Sequence, residues 1–289
     1  MKLKLNLMLK VITLVLCAAA GCPAPARAVS AVCSLWPVYD FALHVANGTG
    51  DDVRLLLPPG TEAHSFNPRP SDIKALNDAD IFIYTHPEME HWAGRISGTL
   101  NGTMSVSASD EIISHENDPH VWLDLSKAQS MIRNIASAFI AKCPENEAVY
   151  RKNAEEYCAK LATLDEDILA EVDKSENKTL VFVGRFAYRH FLARYGLDYV
   201  SAYEGETEPS PRRVAEVTRY ITEHGVKIIF RDELPMSPVT REIAEQTGAE
   251  LRLFHMCHCV TKDELERGAT FYDIMKANAE AVIAALRQK

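Results

Sequence analysis

The chain has 289 residues, enough for two domains or one large one. Its formal net charge is −9, and that acidity argues against nucleic acid and anionic lipid surfaces as partners. Seven cysteines are present; Cys17 and Cys22 fall in an N-terminal export-like segment, leaving Cys33, Cys143, Cys158, Cys257 and Cys259. An odd count in an oxidising compartment leaves at least one thiol unpaired within the chain, and no spacing among the five singles out a disulfide.

Lys2, Lys4 and Lys10 precede the apolar run Val11 to Ala20, which is too short to span a bilayer and is followed by small residues. Residues 1–28 therefore read as a signal peptide for Sec export. Ala26-Arg27-Ala28 fits cleavage before Val29, whereas Ala20-Gly21-Cys22 resembles a lipoprotein site that would make Cys22 a lipid anchor. Either exit puts the mature protein in the periplasm or otherwise outside the cytoplasm. Removing residues 1–28 takes away Lys2, Lys4, Lys10 and Arg27 and no acidic residue, so the net charge moves from −9 to −13.

In chain order, Ala31 to Leu35 reads as a strand ended by Trp36-Pro37, and Val38 to Ala46 as a short helix. Val53 to Leu57 is a strand stopped by Pro58-Pro59-Gly60, and the loop carrying Glu62 and His64 follows. Ser71 to Asn77 is a helix, Ile81 to Tyr84 a strand, and Met104 to Val106 a short strand. Ser126 reads as the cap of a helix from Lys127 to Ala141. In the second half, strands are expected at 180–183, 199–203, 227–230 and 251–254. Helices alternate with them: Phe186 to Tyr195 closed by Gly196, one opened by Ser210-Pro211 and closed by Gly225, one opened by Ser237-Pro238 and closed by Gly248, and a last one from Thr270 to Leu286.

Between the halves, Pro144 to Lys174 has apolar residues at Val149, Tyr150, Ala154, Tyr157, Leu161, Leu164, Ile168 and Val172, in helical steps of three and four. About thirty residues at 1.5 Å each give a rod of roughly 45 Å. The expected fold is α/β: two α/β lobes joined by one long rigid helix, with a single α/β domain carrying a long surface helix as the alternative. The boundaries are 29–143 for the N-terminal lobe, 144–175 for the linker helix and 176–289 for the C-terminal lobe.

Several of the ten histidines stand at or just after strand ends, where α/β sheets hold ligands: His64, His86, His120, His255 and His258. Imidazole binds zinc and other borderline metals. Taken singly, each reads more readily as a surface or hydrogen-bonded loop histidine. Glu88 and Glu90 read as solvated. Cys257 and Cys259 beside His255 and His258 suggest a soft-metal cluster or plain burial. The nucleophile elbow, the phosphate-binding glycine loop and the dinucleotide fingerprint are all missing, which lowers the odds of an enzyme and leaves a metallohydrolase open.

The segments Pro59-Gly60-Thr61-Glu62-Ala63-His64-Ser65-Phe66, Pro70-Ser71-Asp72-Ile73 and Ala79-Asp80-Ile81-Phe82-Ile83-Tyr84 resemble the first metal loop of the zinc/manganese-type substrate-binding proteins of ABC importers. So do Pro87-Glu88-Met89-Glu90, Asp118-Pro119-His120-Val121-Trp122-Leu123-Asp124, Tyr195-Gly196-Leu197, Glu208-Pro209-Ser210-Pro211 and Phe271-Tyr272-Asp273-Ile274-Met275 with Asn278. The likeness runs through essentially the whole mature chain, in order. It implies two α/β lobes bridged by a long helix, with a metal between them. It also implies a receptor that is not an enzyme, collecting the ion outside the membrane and delivering it to a permease subunit of the transporter.

His64 and His120 fall on the family's ligand positions. The third departs: Arg185 stands where the family has a histidine, and guanidinium has no lone pair for a metal. His258 falls close to the family's fourth ligand and is taken as the third protein ligand here, with His255, Glu206 and Glu208 open as alternatives. Glu206 or Glu208 is expected to pair with Arg185, and Glu62 to support the His64 loop. Three imidazoles favour Zn2+ as the transported ligand over Mn2+, which prefers oxygen. The metal-gathering histidine-rich loop of many zinc relatives is reduced here to His115 and Glu116. The receptor is expected to be a monomer with no nucleic-acid partner. A secreted zinc hydrolase and an adhesin with a structural metal stay open as other classes.

Overall fold

A computed structural model describes residues 27–61, 63–110, 112, 118–204 and 207–288. Residues 1–26 of the expected export segment, with Cys17 and Cys22, lie outside the described residues, as do Glu62, His115, Glu116 and Glu206.

The N-terminal half runs β1 (Ser30–Cys33), α1 (Trp36–Val45), β2 (Asp52–Leu55), α2 (Pro70–Asp78), β3 (Ile81–Tyr84), α3 (His91–Ile96) and β4 (Met104–Ser107). The four strands form one parallel sheet in the order β2-β1-β3-β4. Helices α4 (Leu125–Lys142) and α5 (Glu147–Asp173) follow. The C-terminal half runs β5 (Thr179–Phe182), α6 (Arg189–Tyr195), β6 (Asp198–Ser201), α7 (Pro211–Glu223), β7 (Ile228–Arg231), α8 (Pro238–Thr247), β8 (Glu250–Leu253), α9 (Lys262–Glu266) and α10 (Phe271–Leu286). Its strands form a second parallel sheet, β6-β5-β7-β8. Strands covered by helices on both faces read as short apolar runs rather than alternations; all four residues of β3 are buried.

The 27 residues of α5 make a rod of about 40 Å. A short 3₁₀ turn, Pro144–Asn146, leads into it, so the helix begins three residues later than its sequence pattern suggests. Its buried stripe includes Tyr150, Tyr157, Leu161, Leu164, Ile168 and Val172, while Val149 is exposed. The stripe also carries a charge, Asp165, which receives two bonds from Arg194 at 3.1 and 2.5 Å and one from the Tyr195 hydroxyl at 2.8 Å. Nearer its start, the Tyr157 hydroxyl donates to buried Asp40 on α1 in the N-terminal lobe at 2.6 Å and accepts from the Tyr272 amide on α10 in the C-terminal lobe at 3.2 Å. The ring of Phe41 meets Phe271 edge-on at 5.0 Å. The long helix is thus held to both lobes by buried polar bonds as well as by apolar packing.

Several local expectations change. Trp36-Pro37 opens α1 instead of closing β1, with Pro37 in the first turn, where its missing N–H costs nothing. The cap of α4 is Asp124, not Ser126: its carboxylate accepts from the Ser126 and Lys127 amides. Helix α6 starts at Arg189 rather than Phe186, because Phe186 stacks on Tyr199 at 4.4 Å and the Tyr188 hydroxyl donates to the Phe254 carbonyl. Glu90 is buried, not solvated, and its carboxylate takes bonds from the Ser34 and Thr85 hydroxyls and the Thr85 and His86 amides. Burial raises its pKa despite these donors. Ser210, Ser237 and Thr270 cap their helices, and Gly196 and Gly248 close theirs in the left-handed conformation. Cys33, Cys143, Cys158, Cys257 and Cys259 are all buried.

Candidate metal centre

Three loops at the carboxyl ends of strands bring the histidines together. The first follows β2, where the turn at Gly60 has φ 75°, a left-handed conformation that favours glycine. The Gly60 amide donates to the Val260 carbonyl at 2.9 Å, tying this N-terminal loop directly to the C-terminal lobe. His64 stands just beyond, its side chain exposed.

The second loop follows β4. Asp118 turns back on its own segment: its carboxylate accepts from the His120 amide at 3.0 Å and from His120 Nδ1 at 2.6 Å. An imidazole that donates through Nδ1 has its lone pair on Nε2, and a carboxylate behind a histidine raises its basicity as a metal ligand. His120 Nε2 is buried with no hydrogen-bond partner among the described residues. Burial pushes the Asp118 carboxyl up, but the hydrogen bond and charge of His120 outweigh it and hold it below the usual carboxylate range.

The third loop follows β8. Asn278 on α10 clamps it from below, accepting from the His255 amide at 2.8 Å and donating to the His255 carbonyl at 2.9 Å. The Trp122 indole donates to the Met256 carbonyl at 2.8 Å, joining the second and third loops. Cys257 takes φ 62°, unusual for a residue with a side chain, and its amide donates to His255 Nδ1. His258 follows, 2% exposed, with both ring nitrogens buried and without a hydrogen-bond partner among the described residues. Burial, then the neighbouring His120, His64 and His255, hold its pKa well below 6.5, so the ring stays neutral with a lone pair to give.

The ring centroids of His64, His120 and His258 lie 5.4, 5.2 and 4.6 Å apart, pair by pair. One ligand nitrogen from each lies within 4.8 Å of the others. A tetrahedral zinc with bonds of about 2.0–2.1 Å sets its ligand atoms roughly 3.4 Å apart, so closing on an ion needs adjustments of about an ångström. Among the described residues, this is the one set of three or more His, Cys, Asp or Glu side chains close enough to share an ion. Buried nitrogens with no bond carry a desolvation cost unless a ligand repays it.

The other candidates lie elsewhere. His86 faces Asp110 at 3.6 Å and its Nδ1 accepts from the Glu88 amide. His255 is buried between Glu233 at 3.6 Å and Glu264 at 4.0 Å and is not part of the three-histidine set. Arg185 pairs with Asp232 at 3.6 Å, not with Glu208. Asp232 also accepts the Arg185 amide at 2.6 Å, so it is held at the same strand end. Glu208 instead accepts from the Tyr203 hydroxyl. Cys257 and Cys259 are buried outside the set. Sequence reasoning gave no role to Asp118, Trp122 or Asn278, though the two-residue step from Asp118 to His120 is a signal for a carboxylate backing an imidazole.

The family described as ZnuA, zinc-uptake complex component A, periplasmic, matches residues 31–285. The high-affinity zinc uptake system protein ZnuA of Bacillus subtilis is 31% identical over 274 residues, covering 87% of this chain and 85% of that protein. The zinc-binding protein AdcA of Streptococcus pyogenes is 29% identical over 286 residues, and the match spans only 55% of its length. The crystal structure of the Zn(II)-bound ZnuA-like domain of Streptococcus pneumoniae AdcA superposes with a TM-score of 0.80 at 26% identity, covering 91% of this chain and 100% of that one. The chain belongs to the periplasmic zinc-uptake component A family of metal receptors, which is not an enzyme family.

Proposed function

We infer that this protein is the extracytoplasmic zinc receptor of an ABC importer, holding Zn2+ on His64, His120 and His258 and handing it to a membrane permease subunit. The observation that carries the reading is His258: a neutral, buried imidazole with both nitrogens unpartnered, 4.6 Å from the ring of His120. Family membership supports the transport role. Nitrogen ligands favour zinc; Mn2+ is the weaker candidate because it prefers oxygen donors. Three neutral imidazoles leave the ion's charge largely uncompensated, and Asp118 behind His120 supplies nearby negative charge. Water or a carboxylate completes a four-coordinate shell. The reading includes no catalysis: the ion is cargo, and a monomer suffices to hold it, since all three histidines come from one chain. Lobe boundaries at 29–143, 144–175 and 176–289 suit this arrangement, with the ligands divided between the lobes. No helix among the described residues is long and apolar enough to cross a membrane.

The test is a chelator-competition titration of the metal-free mature protein with zinc and manganese. One tightly bound zinc per chain, with manganese weaker, is the expected result; no tight binding of either ion would refute the reading. A pH series sharpens it. Protons compete with metal for imidazole lone pairs as pH falls through the ordinary histidine range near 6.5, so zinc affinity at pH 5.5 should be well below that at pH 7.5. Equal affinities at the two pH values would count against imidazole ligation.

A further inference from the structure

His190 is the second residue of α6, in the C-terminal lobe, and is 2% exposed. Both of its ring nitrogens are engaged. Nδ1 lies 2.9 Å from Lys127 Nζ on α4, and Nε2 lies 2.8 Å from the main-chain carbonyl oxygen of Asp118. A lysine ammonium only donates and a carbonyl only accepts. Nδ1 must therefore accept, and Nε2 must carry the proton that goes to Asp118. The two partners allow one arrangement, a neutral ring with its proton on Nε2.

The carbonyl that His190 holds belongs to the residue that orients His120. Contact therefore runs without a break from Lys127 to His190, from His190 to the Asp118 main chain, and from the Asp118 carboxylate to His120 Nδ1 at 2.6 Å. His190 and Asp118 are 72 positions apart in sequence and come from opposite lobes. His120 approaches His258, a residue of the same lobe as His190. This bond acts with the Trp122–Met256 bond to hold the N-terminal loop over the C-terminal lobe, and it is the one that grips the residue backing His120.

We propose that His190 is a positioning residue for the metal site: it latches the Asp118–His120 loop across the lobe boundary and so sets the approach of the His120 and His258 nitrogens. The proposal rests on the zinc-receptor reading above. Carboxylates and carbonyls behind metal-bound histidines typically tune affinity 10- to 100-fold, and a latch on such a carboxylate's own main chain acts through the same geometry.

The experiment measures zinc affinity and zinc dissociation rate by chelator competition, with metal-free melting temperature alongside, for wild type, His190→Ala, His190→Gln and Lys127→Met. Glutamine can donate to the Asp118 carbonyl and accept from Lys127, so it should bind zinc within about threefold of wild type. His190→Ala should weaken zinc roughly 10-fold or more, mainly through faster dissociation. Lys127→Met should fall between them, and it decides the matter if His190→Ala does not fold. A role in stability alone predicts lower melting temperatures with wild-type zinc affinity and dissociation in every folded variant, and that result would overturn the proposal. Failure of the wild type to bind zinc would be a different outcome: it would remove the receptor reading, and the latch with it.

Discussion

Replacing His258 with alanine should weaken zinc binding by about two orders of magnitude while leaving the metal-free protein nearly as stable as before. Structural zinc sites release about 10–16 kcal/mol over four ligands, or roughly 3 kcal/mol for each, which corresponds to a factor of about 100 in Kd. The second half of the expectation is the more specific one. Truncating a buried side chain ordinarily destabilises through lost packing. Here the truncation also removes two buried nitrogens that have no hydrogen-bond partner among the described residues, and relief of that desolvation offsets the packing loss. A core histidine serving only the fold would behave the other way, with stability falling and zinc affinity unchanged. His120→Ala should cost affinity on the same scale, and it should also leave Asp118 without the partner that holds its carboxyl below the usual range. His64, being exposed, should be the most easily replaced by water and give the smallest of the three losses. Chelator competition and denaturant melts on the same preparations measure both quantities.

Tyr157→Phe should destabilise the metal-free protein by about 2–4 kcal/mol. The hydroxyl makes two bonds that bridge three helices: it donates to the Asp40 carboxylate and accepts from the Tyr272 amide. A bond to a charged group is worth about 1.5–3 kcal/mol, and leaving the half-buried Tyr272 amide without its acceptor adds a cost of its own. The deficit should depend on pH. Burial is the main reason the Asp40 pKa is raised. A raised carboxyl contributes most when protonated at low pH, and that contribution is lost as pH rises through its folded-state value. Removing the hydroxyl raises Asp40 further and deepens the loss, so the variant should look worse at pH 8 than at pH 5. Tyr150→Phe, whose hydroxyl bonds half-exposed Asp51 nearer the helix start, is the control and should cost about 1 kcal/mol. Equal costs for the two variants, measured by denaturant melts at both pH values, would show that Tyr157 is no special joint between the lobes.

What could be read from the sequence follows the range of the interactions involved. The strand runs and the Ser210, Ser237 and Gly196 boundaries depend on neighbours within a few residues, and these were legible. The long helix was legible because its stripe repeats over seven turns. The misplaced Ser126 cap was a choice between two good capping residues two positions apart, decided by which side-chain oxygen reaches the free amides. Glu90 looked solvated because Thr85 and His86 reach it only when their loop turns back on itself, and Ser34 reaches it only when β1 and β3 lie side by side. Asp165 was hidden inside an apolar stripe for the same reason: Arg194 and Tyr195 neutralise it from a helix thirty positions on. At the candidate metal centre, the grouping of His64, His120 and His258 was readable through the family resemblance, with His258 standing in after the departure at Arg185. The partner of Arg185 was not, since Asp232 becomes its neighbour only through the pairing of β5 with β7. The link from His190 to Asp118 crosses both lobes and leaves no trace in local pattern.

The central claim is that one zinc ion sits on three imidazoles drawn from both lobes. X-ray absorption at the zinc edge of the one-to-one complex tests it most directly. Zn–N bonds near 2.0–2.1 Å are distinct from Zn–S bonds near 2.3 Å, and imidazole rings add a recognisable outer-shell pattern. The expected spectrum shows three imidazoles and one further oxygen or nitrogen, with no sulfur. One imidazole should disappear in each of His64→Ala, His120→Ala and His258→Ala. A sulfur contribution from Cys257 or Cys259, or an unchanged imidazole count in His258→Ala, would contradict the account.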